Sequence, residues 1–222
     1  DCLLSRGLGD VYKRQIIEFL PDLTTKKKKG VHRPIYAEVF TNELVKGESA
    51  KVIHLMVNPF SGKKQGEKIA KQVSSMFEEN EVSVTMHLST YSGELIQLAA
   101  DLTTNESDIV AVVGGDGSLS EVVTGLMQAG SKCRVGLIPA GTGNSMANDL
   151  SIKSTEDAVA RICAGHYQTL DLAKVDMVAG LPGSEGGELT RYSTNLVTWG
   201  LGVDSTIKAE KMRWMGPMRY DV

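Results

Sequence analysis

The chain has 222 residues, 41% of them hydrophobic and 23% charged, and its 24 basic and 27 acidic side chains leave a formal charge of -3. That is the profile of a globular chain long enough to bury one sizeable core and part of a second. It excludes a nucleic-acid binder working by bulk electrostatics, which needs a basic face, and no apolar run approaches the roughly 18 residues of a membrane-spanning helix.

Cys2, Cys133 and Cys163 stand far apart without a paired spacing, so neither a disulfide framework nor a zinc site is expected, and a reducing, cytoplasmic setting fits. The histidines at 32, 54, 87 and 166 stand singly and are read as structural. No metal-ligating residue is assigned.

Residues 1–15 show neither helical nor strand period, and "DVYKRQ" within them reads as the in-frame translation of a sequencing adapter. They are set aside from the fold. The far end, "MGPMRYDV", closes without a terminating pattern. A piece of a longer protein is expected, and with it negligible activity of these 222 residues on their own. Residues 16–50 carry a short apolar patch, then "KKKKG" and "PIYAEVF". The lysine run reads as a solvated loop, with weak contact to an anionic membrane surface as the alternative.

From residue 51 the periods sharpen. "KVIHLMVNP" is a short apolar run ended by Pro59, which predicts a buried strand and its loop. Ile69, Val73, Met76 and Phe77 recur at helical spacing, and "VSVTMHL" alternates with period two. Leu95, Leu98, Ala99 and Leu102 share a helical face before the strand "DIVAVV". A helix follows from about Ser118 to Ala129, then the strand "RVGLIP", then short helices near 144–150 and 154–164. Alternating strands and helices predict an α/β fold over 51–165, a parallel sheet with helices on both faces. Beyond 165, "YQTLDLAKVDMV" and "RYSTNLVTWG" flank the glycine-rich "AGLPGSEGGE". An antiparallel hairpin is expected there, the beginning of a β-rich second domain over 166–222.

Ligands of parallel sheets sit beyond the carboxyl ends of the strands, where "VNPFSGKK", "GGDGS" and "PAGTGN" all fall. Gly114, Gly115 and Gly117 let the backbone approach a ligand, and the helix that follows offers unpaired N–H groups and a positive dipole end. Such a cradle suits phosphate. Asp116 inside it would repel phosphate, unless it holds a cation or takes the proton of a hydroxyl attacking the phosphate. A plain Asp-Gly turn is the other reading of the same four residues. Ser118 and Glu121 have the spacing of a capping box, which explains Glu121 without any ligand. Gly141 and Gly143 around Thr142 form a second loop of the same kind on the next strand. "SGKKQG" lacks the upstream glycine and following Ser or Thr of a P-loop, and "GLGVDS" is too short for a dinucleotide fingerprint.

In this order, "VNPFSGKK", "VVGGDGSLSEVVTGL" and "GLIPAGTGN" resemble the catalytic domain of the diacylglycerol kinase superfamily. "WGLGVDSTIKAEKMRWMGPMRYD" is similar to the following segment in the sphingosine kinase and ceramide kinase branch. The resemblance implies transfer of the γ-phosphate of ATP, with Mg2+, to the primary hydroxyl of a lipid at a membrane surface, in a cleft between an α/β domain and a β-rich domain. It implies a peripherally attached cytoplasmic enzyme. It places Asp116 as general base, Gly114, Gly115 and Gly117 in the phosphate loop, and Asn58, Thr90, Glu121, Gly141, Thr142 and Gly143 about the nucleotide. It also places Arg213 and Arg219 near the ATP phosphates.

Asp204 matches a shared aspartate in the lipid site, but Thr206 stands where sphingosine kinases carry a second one. Without it a cationic sphingoid amine loses a partner. Phe60 and "RWMGPMRYD" lean toward the ceramide kinases, whereas "AGTGN" is nearer the general superfamily pattern. The expectation is a sphingolipid-type kinase with the acceptor open between ceramide and a sphingoid base. Diacylglycerol is the alternative acceptor, and a non-catalytic nucleotide- or lipid-binding module is the alternative of another class. The related GGDG motif of NAD kinases and phosphofructokinases would instead predict soluble acceptors.

Overall fold

A computed structural model describes residues 17–19, 45–46, 51–105, 107–178, 188–195, 197 and 208. Its centre is a four-stranded parallel sheet in the order β4-β3-β5-β6, with β3 at Val52–Val57, β4 at Ser83–Leu88, β5 at Ile109–Gly114 and β6 at Arg134–Pro139. Val57 pairs with Leu88 and with Val113, and Gly114 pairs with Pro139, so all four strands end at one edge. These are the runs that the hydrophobic pattern marks. β5 is buried along its whole length, whereas β4, at the sheet's edge, alternates between exposed and half-buried. That contrast explains why "DIVAVV" is continuously apolar and "VSVTMHL" is not.

After the four-residue turn α1 (Ser61–Lys64), helix α2 (Gly66–Glu79) buries Ala70, Val73 and Phe77, one face of a 3.6-residue period, against β3, β4 and β5. Helix α6 (Thr155–Ala164) packs beside it over β6. Its ends are written locally, since Ser154 Oγ accepts the Asp157 N–H at 3.2 Å and Gly165 closes the helix at φ 72°. The other face carries α3 (Glu94–Ala100) and α4 (Asp116–Gln128), which pack on each other. Helices on both faces of a parallel sheet are what the sequence predicts.

Short strands β1 (Ile17–Phe19) and β2 (Val45–Lys46) pair antiparallel with β7 (His166–Leu170), and β1 lies beside β6. β8 (Ala173–Val178) and β9 (Glu188–Ser193) form the expected antiparallel pair. Side chains of α4 bond to the backbone of β9. Ser120 Oγ donates to the Tyr192 carbonyl at 3.0 Å, and the Tyr192 N–H donates to Thr124 Oγ1 at 3.1 Å. Among the described residues, no helix is long and apolar enough to cross a membrane.

From β3 the chain crosses to β4 on one side, then returns past β3 to β5 on the other. The loops after β3 and β5 therefore diverge, and the sheet opens a crevice at its carboxyl edge between them.

Candidate active site

A cleft of about 690 Å³ occupies that crevice. Its walls include Asn58 and residues 60–64 after β3, Ser89, Tyr91 and Ser92 after β4, residues 115–118 and Glu121 after β5, and residues 141–143 and Ser145 after β6. Every strand of the sheet contributes a loop. Continued strand pairing ties these loops together, because Asn58 N donates to the Val113 carbonyl at 3.2 Å and Ala140 N to the Gly114 carbonyl at 2.9 Å.

The two glycine loops touch backbone to backbone. A Cβ on Gly141 would stand 2.5 Å from Gly115 Cα, and one on Gly115 would stand 3.1 Å from Gly141 Cα. Neither neighbour is a side chain that could swing away, so Gly141 requires the absence of a Cβ, and at Gly115 one would fit only if the facing backbone gave way by a few tenths of an ångström. Gly117 differs, since a Cβ there meets nothing within 4 Å. Gly114 is buried, and its role is packing: a Cβ would fall 2.5 Å from Ser118 Cβ.

Asp116 is half-buried and clasps the second loop. Its Oδ1 accepts the Met146 N–H at 2.9 Å and its Oδ2 accepts the Ser145 N–H at 3.0 Å. Those are the first amides of α5 (Ser145–Asp149), so Asp116 caps a helix from a distance of 30 residues in sequence. Asn144, in the left-handed region at φ 51°, braces the turn by accepting the Gly141 N–H at 2.9 Å and donating to the Gly141 carbonyl at 3.0 Å. Helix α4 has the opposite arrangement. Among the described residues no side chain caps its first turn, and Asp116, Gly117 and Ser118 of that turn line the cleft. One helix end is thus closed by the carboxylate, and the other is open to an anion.

The capping-box reading of Ser118 and Glu121 is corrected by this geometry. Helix α4 begins at Asp116, two residues earlier than expected, so Ser118 lies inside it and Glu121 is a full turn further on. Ser118 Oγ instead accepts from Asn58 Nδ2 at 3.2 Å, which joins the β3 loop to α4. Glu121 Oε1 accepts the Gly93 N–H at 3.2 Å, across to the start of α3. Burial raises the Glu121 carboxyl above its ordinary range, and the Gly93 amide, the Arg191 charge and the Leu95 amide pull it back in part. A raised carboxyl favours the fold below its unfolded value near 4.5 and loses that contribution as pH rises through the folded value. Glu121→Gln is therefore expected to melt at a higher temperature at pH 7, with the advantage fading as the pH is lowered toward 4.5. Thermal scans across that range check it, and a lower midpoint at pH 7 would contradict it.

Thr90 is exposed and engaged, with its N–H and hydroxyl both bonded to Glu94 Oε2, the hydroxyl at 2.8 Å. Those bonds hold the Glu94 carboxyl below its ordinary range, the Thr90 amide first. The cleft wall at this point is made by its neighbours Ser89, Tyr91 and Ser92. The structure thus brings together Asn58, Gly115, Asp116, Gly117, Glu121, Gly141, Thr142 and Gly143, and leaves Gly114 and the Thr90 side chain outside the wall. Asp204, Thr206, Arg213 and Arg219 lie outside the described residues, as do residues 1–15.

Sequence reasoning missed Lys63 and Lys64 as wall residues. They sit at φ 61° and 66°, directly after Gly62 at φ 51°, so three successive residues are left-handed. Two lysines in that region are a strained arrangement of the kind found at ligand sites, and "SGKK" carries no local signal for it. The loop is held by Ser61 Oγ donating to the Asn58 carbonyl at 2.8 Å. Among the described residues, no three His, Cys, Asp or Glu side chains converge as a metal site.

The family model for the diacylglycerol kinase catalytic domain matches residues 52–175, the stretch that builds the sheet and the cleft. The chain belongs to that family. The diacylglycerol kinase catalytic domain is here the four-stranded sheet with its helices, and the match runs on through β7 into β8. Among curated relatives, sphingosine kinase 1 of Arabidopsis thaliana is 29% identical over 98% of this chain and 44% of its own length. Sphingosine kinase 2 of the same plant is 33% identical over 77% of this chain and 36% of its own. Ceramide kinase of Mus musculus is 28% identical over 80% of this chain and 36% of its own. The chain spans less than half the length of these relatives.

Proposed function

We propose that the protein is an ATP-dependent lipid kinase that phosphorylates the primary hydroxyl of a sphingolipid, ceramide or a sphingoid base. The observation that carries this reading is the placement of Asp116 between two touching glycine loops, beside the uncapped first turn of α4, in a cleft at the strands' carboxyl ends. Open space at Gly117, the free helix end and the lysines at 63 and 64 suit a row of phosphates. The sphingosine and ceramide kinases among the relatives support the acceptor class.

Each part of the cleft then has a task. The amides of α4 and the glycine loops hold the phosphates in line, and the lysine charges offset theirs. Each Asp116 oxygen has spent one lone-pair direction on an α5 amide and keeps another for the acceptor hydroxyl. Asp116 takes that proton as the oxygen attacks the γ-phosphorus and the bond to the β-phosphate oxygen breaks, leaving ADP. Arg213 and Arg219 are proposed to add charge at the phosphates, and Asp204 and Thr206 to meet the lipid head. When bound, Mg2+ would supply charge neutralisation on the phosphates, held mainly by their oxygens, with Glu121 as the carboxylate of the cleft wall left to it once Asp116 serves the hydroxyl. Because the acceptor lives in a bilayer, the enzyme is proposed to work as a peripheral protein on the cytoplasmic side of a membrane.

The family's name favours a second acceptor, diacylglycerol. The deciding experiment offers the full-length protein ceramide, sphingosine and diacylglycerol in separate mixed micelles with radiolabelled ATP and Mg2+. Label in ceramide phosphate or sphingosine phosphate supports the proposal. Label in phosphatidic acid alone transfers it to diacylglycerol, and no lipid product at all removes it.

A further inference from the structure

Two histidines that stand 33 residues apart in sequence meet on the sheet. His54 Nδ1 lies 3.4 Å from His87 Nε2, with the ring centroids 5.6 Å apart. His54 Nε2 in turn stands 3.7 Å from Asp108 Oδ2, and the side chains of His54 and Asp108 are 12% and 5% exposed. Asp108 Oδ2 is itself fixed, accepting the Asn105 N–H at 2.7 Å and the Asn105 side-chain amide at 3.2 Å. The arrangement has a direction. A His54 N–H aimed at Asp108 leaves His54 Nδ1 as the acceptor for the His87 N–H.

Strand register explains the meeting. His54 pairs with Thr85 and His87 with Met56, so both histidines project from the same face of β3 and β4. Gly136, Ala111 and Leu55 share a row on the other face, where a Cβ on Gly136 would meet Ile162 of α6. The histidines therefore look toward the layer of α3 and α4. Among the described residues, Asp108 is the carboxylate placed at the pair. Helix α3 buries Leu95 and Ala99, its Glu94 is bonded to Thr90, and Asp101 at its end accepts from Gln97. Asp116 and Glu121 of α4 are bound to amides of α5 and of Gly93 at the cleft end. Before β6, burial pushes the Cys133 thiol up, and Lys132 is exposed.

We propose that His54 and His87, braced by Asp108, form a proton-sensitive catch that holds β4 to β3 and releases it in mild acid, together with the cleft wall that follows. One added proton is tolerated, because an imidazolium at His54 faces Asp108 and can still donate to a neutral His87. A second would set like charges on rings whose nitrogens stand 3.4 Å apart. Burial, and after it the His54 charge, holds the His87 imidazole below its ordinary 6.5. A lowered histidine leaves the catch intact above 6.5 and weakens it as pH falls from there to the folded value, since the released strand takes up the extra proton. β4 is the edge of the sheet, so it opens at less cost than the strands inside. It also runs straight into Ser89, Tyr91 and Ser92 of the cleft wall, where the Ser89 N–H donates to the Val57 carbonyl at 3.0 Å.

Hydrogen exchange of the full-length protein at about pH 7.5 and about pH 5.5 tests the catch. With the intrinsic exchange rates divided out, the amides of 83–92 are expected to open up to about tenfold more often in acid, the effect of one proton bound by the open form alone. Amides of β5 should not change. His87→Gln is expected to abolish the difference and His54→Gln to reduce it; should His87→Gln loosen β4 at both pH values through lost packing, His54→Gln carries the comparison. The same pH dependence in wild type and both variants overturns the proposal, as does an acceleration shared by β5. A second arm rests on the phosphoryl-donor reading above and measures ATP binding in the same proteins at the same two pH values. Affinity is expected to fall further in acid for wild type than for His87→Gln, a comparison that cancels the titration of ATP itself. A protein that binds no ATP at either pH fails the donor reading, whereas the exchange result still decides the catch.

Discussion

Asp116→Asn is expected to lower turnover of the full-length protein by roughly 10²- to 10⁴-fold, the share of a general base, with ATP affinity little changed. The substitution also has a structural consequence, and the two can be told apart. Asparagine keeps one acceptor oxygen for the α5 amides but opposes the other amide with its own NH2 group. Losing half of that cap costs roughly 1 kcal/mol, which moves the thermal midpoint by about 2–4 °C. A loss of that size cannot produce a hundredfold fall in rate at a temperature well below the midpoint. Single-turnover rates and melting curves on the same variant therefore decide the matter. Turnover within about tenfold of wild type, with the lowered midpoint, would make Asp116 a clasp and nothing more.

Gly141→Val is expected to have the second-largest effect, and it acts through space. The new Cβ would stand 2.5 Å from Gly115 Cα and 3.0 Å from Gly115 N, backbone atoms fixed by β5 and α4. The loops must part, which costs about 1–3 kcal/mol as overpacking and pulls Asp116 off its amides. Nucleotide binding should fall together with stability. Gly117→Ala is the counterpart that isolates the ligand. Its Cβ meets open space in the first turn of α4, where alanine gives up less chain entropy than glycine, an advantage of at most about 1 kcal/mol. The variant is expected to be at least as stable as wild type, yet to bind ATP at least several-fold more weakly, because the methyl group stands over the helix end. Calorimetric titration beside thermal scans checks the pair. Full ATP affinity in Gly117→Ala would move the phosphates away from the α4 N-terminus.

Period and punctuation in the chain were enough for the sheet and the helices that cover it. Ala70, Val73 and Phe77 show their shared face at three- and four-residue spacing, and Gly165 marks the end of α6 locally. The short range of these signals is why they survive in a bare sequence: each depends on neighbours within a turn or two. The glycines on either side of Asp116 and Thr142 were legible for the same reason. A glycine is the residue a backbone needs where another backbone or a ligand comes close.

What Asp116 and Glu121 do to their surroundings was not legible. Ser118 and Glu121 have capping-box spacing, but the helix starts at Asp116, and Glu121 finds the Gly93 amide 28 residues away instead. Nor does "SGKK" announce that Gly62, Lys63 and Lys64 run left-handed into the cleft. The two glycine loops, their order and the strand ends on which they sit are properties of the sequence alone, because spacing along the chain encodes them. That Asp116 closes α5 while no side chain caps the α4 end was settled only when the parallel sheet brought four separate loops to a single edge. Contacts between loops tens of residues apart follow from strand order, which local spacing does not record.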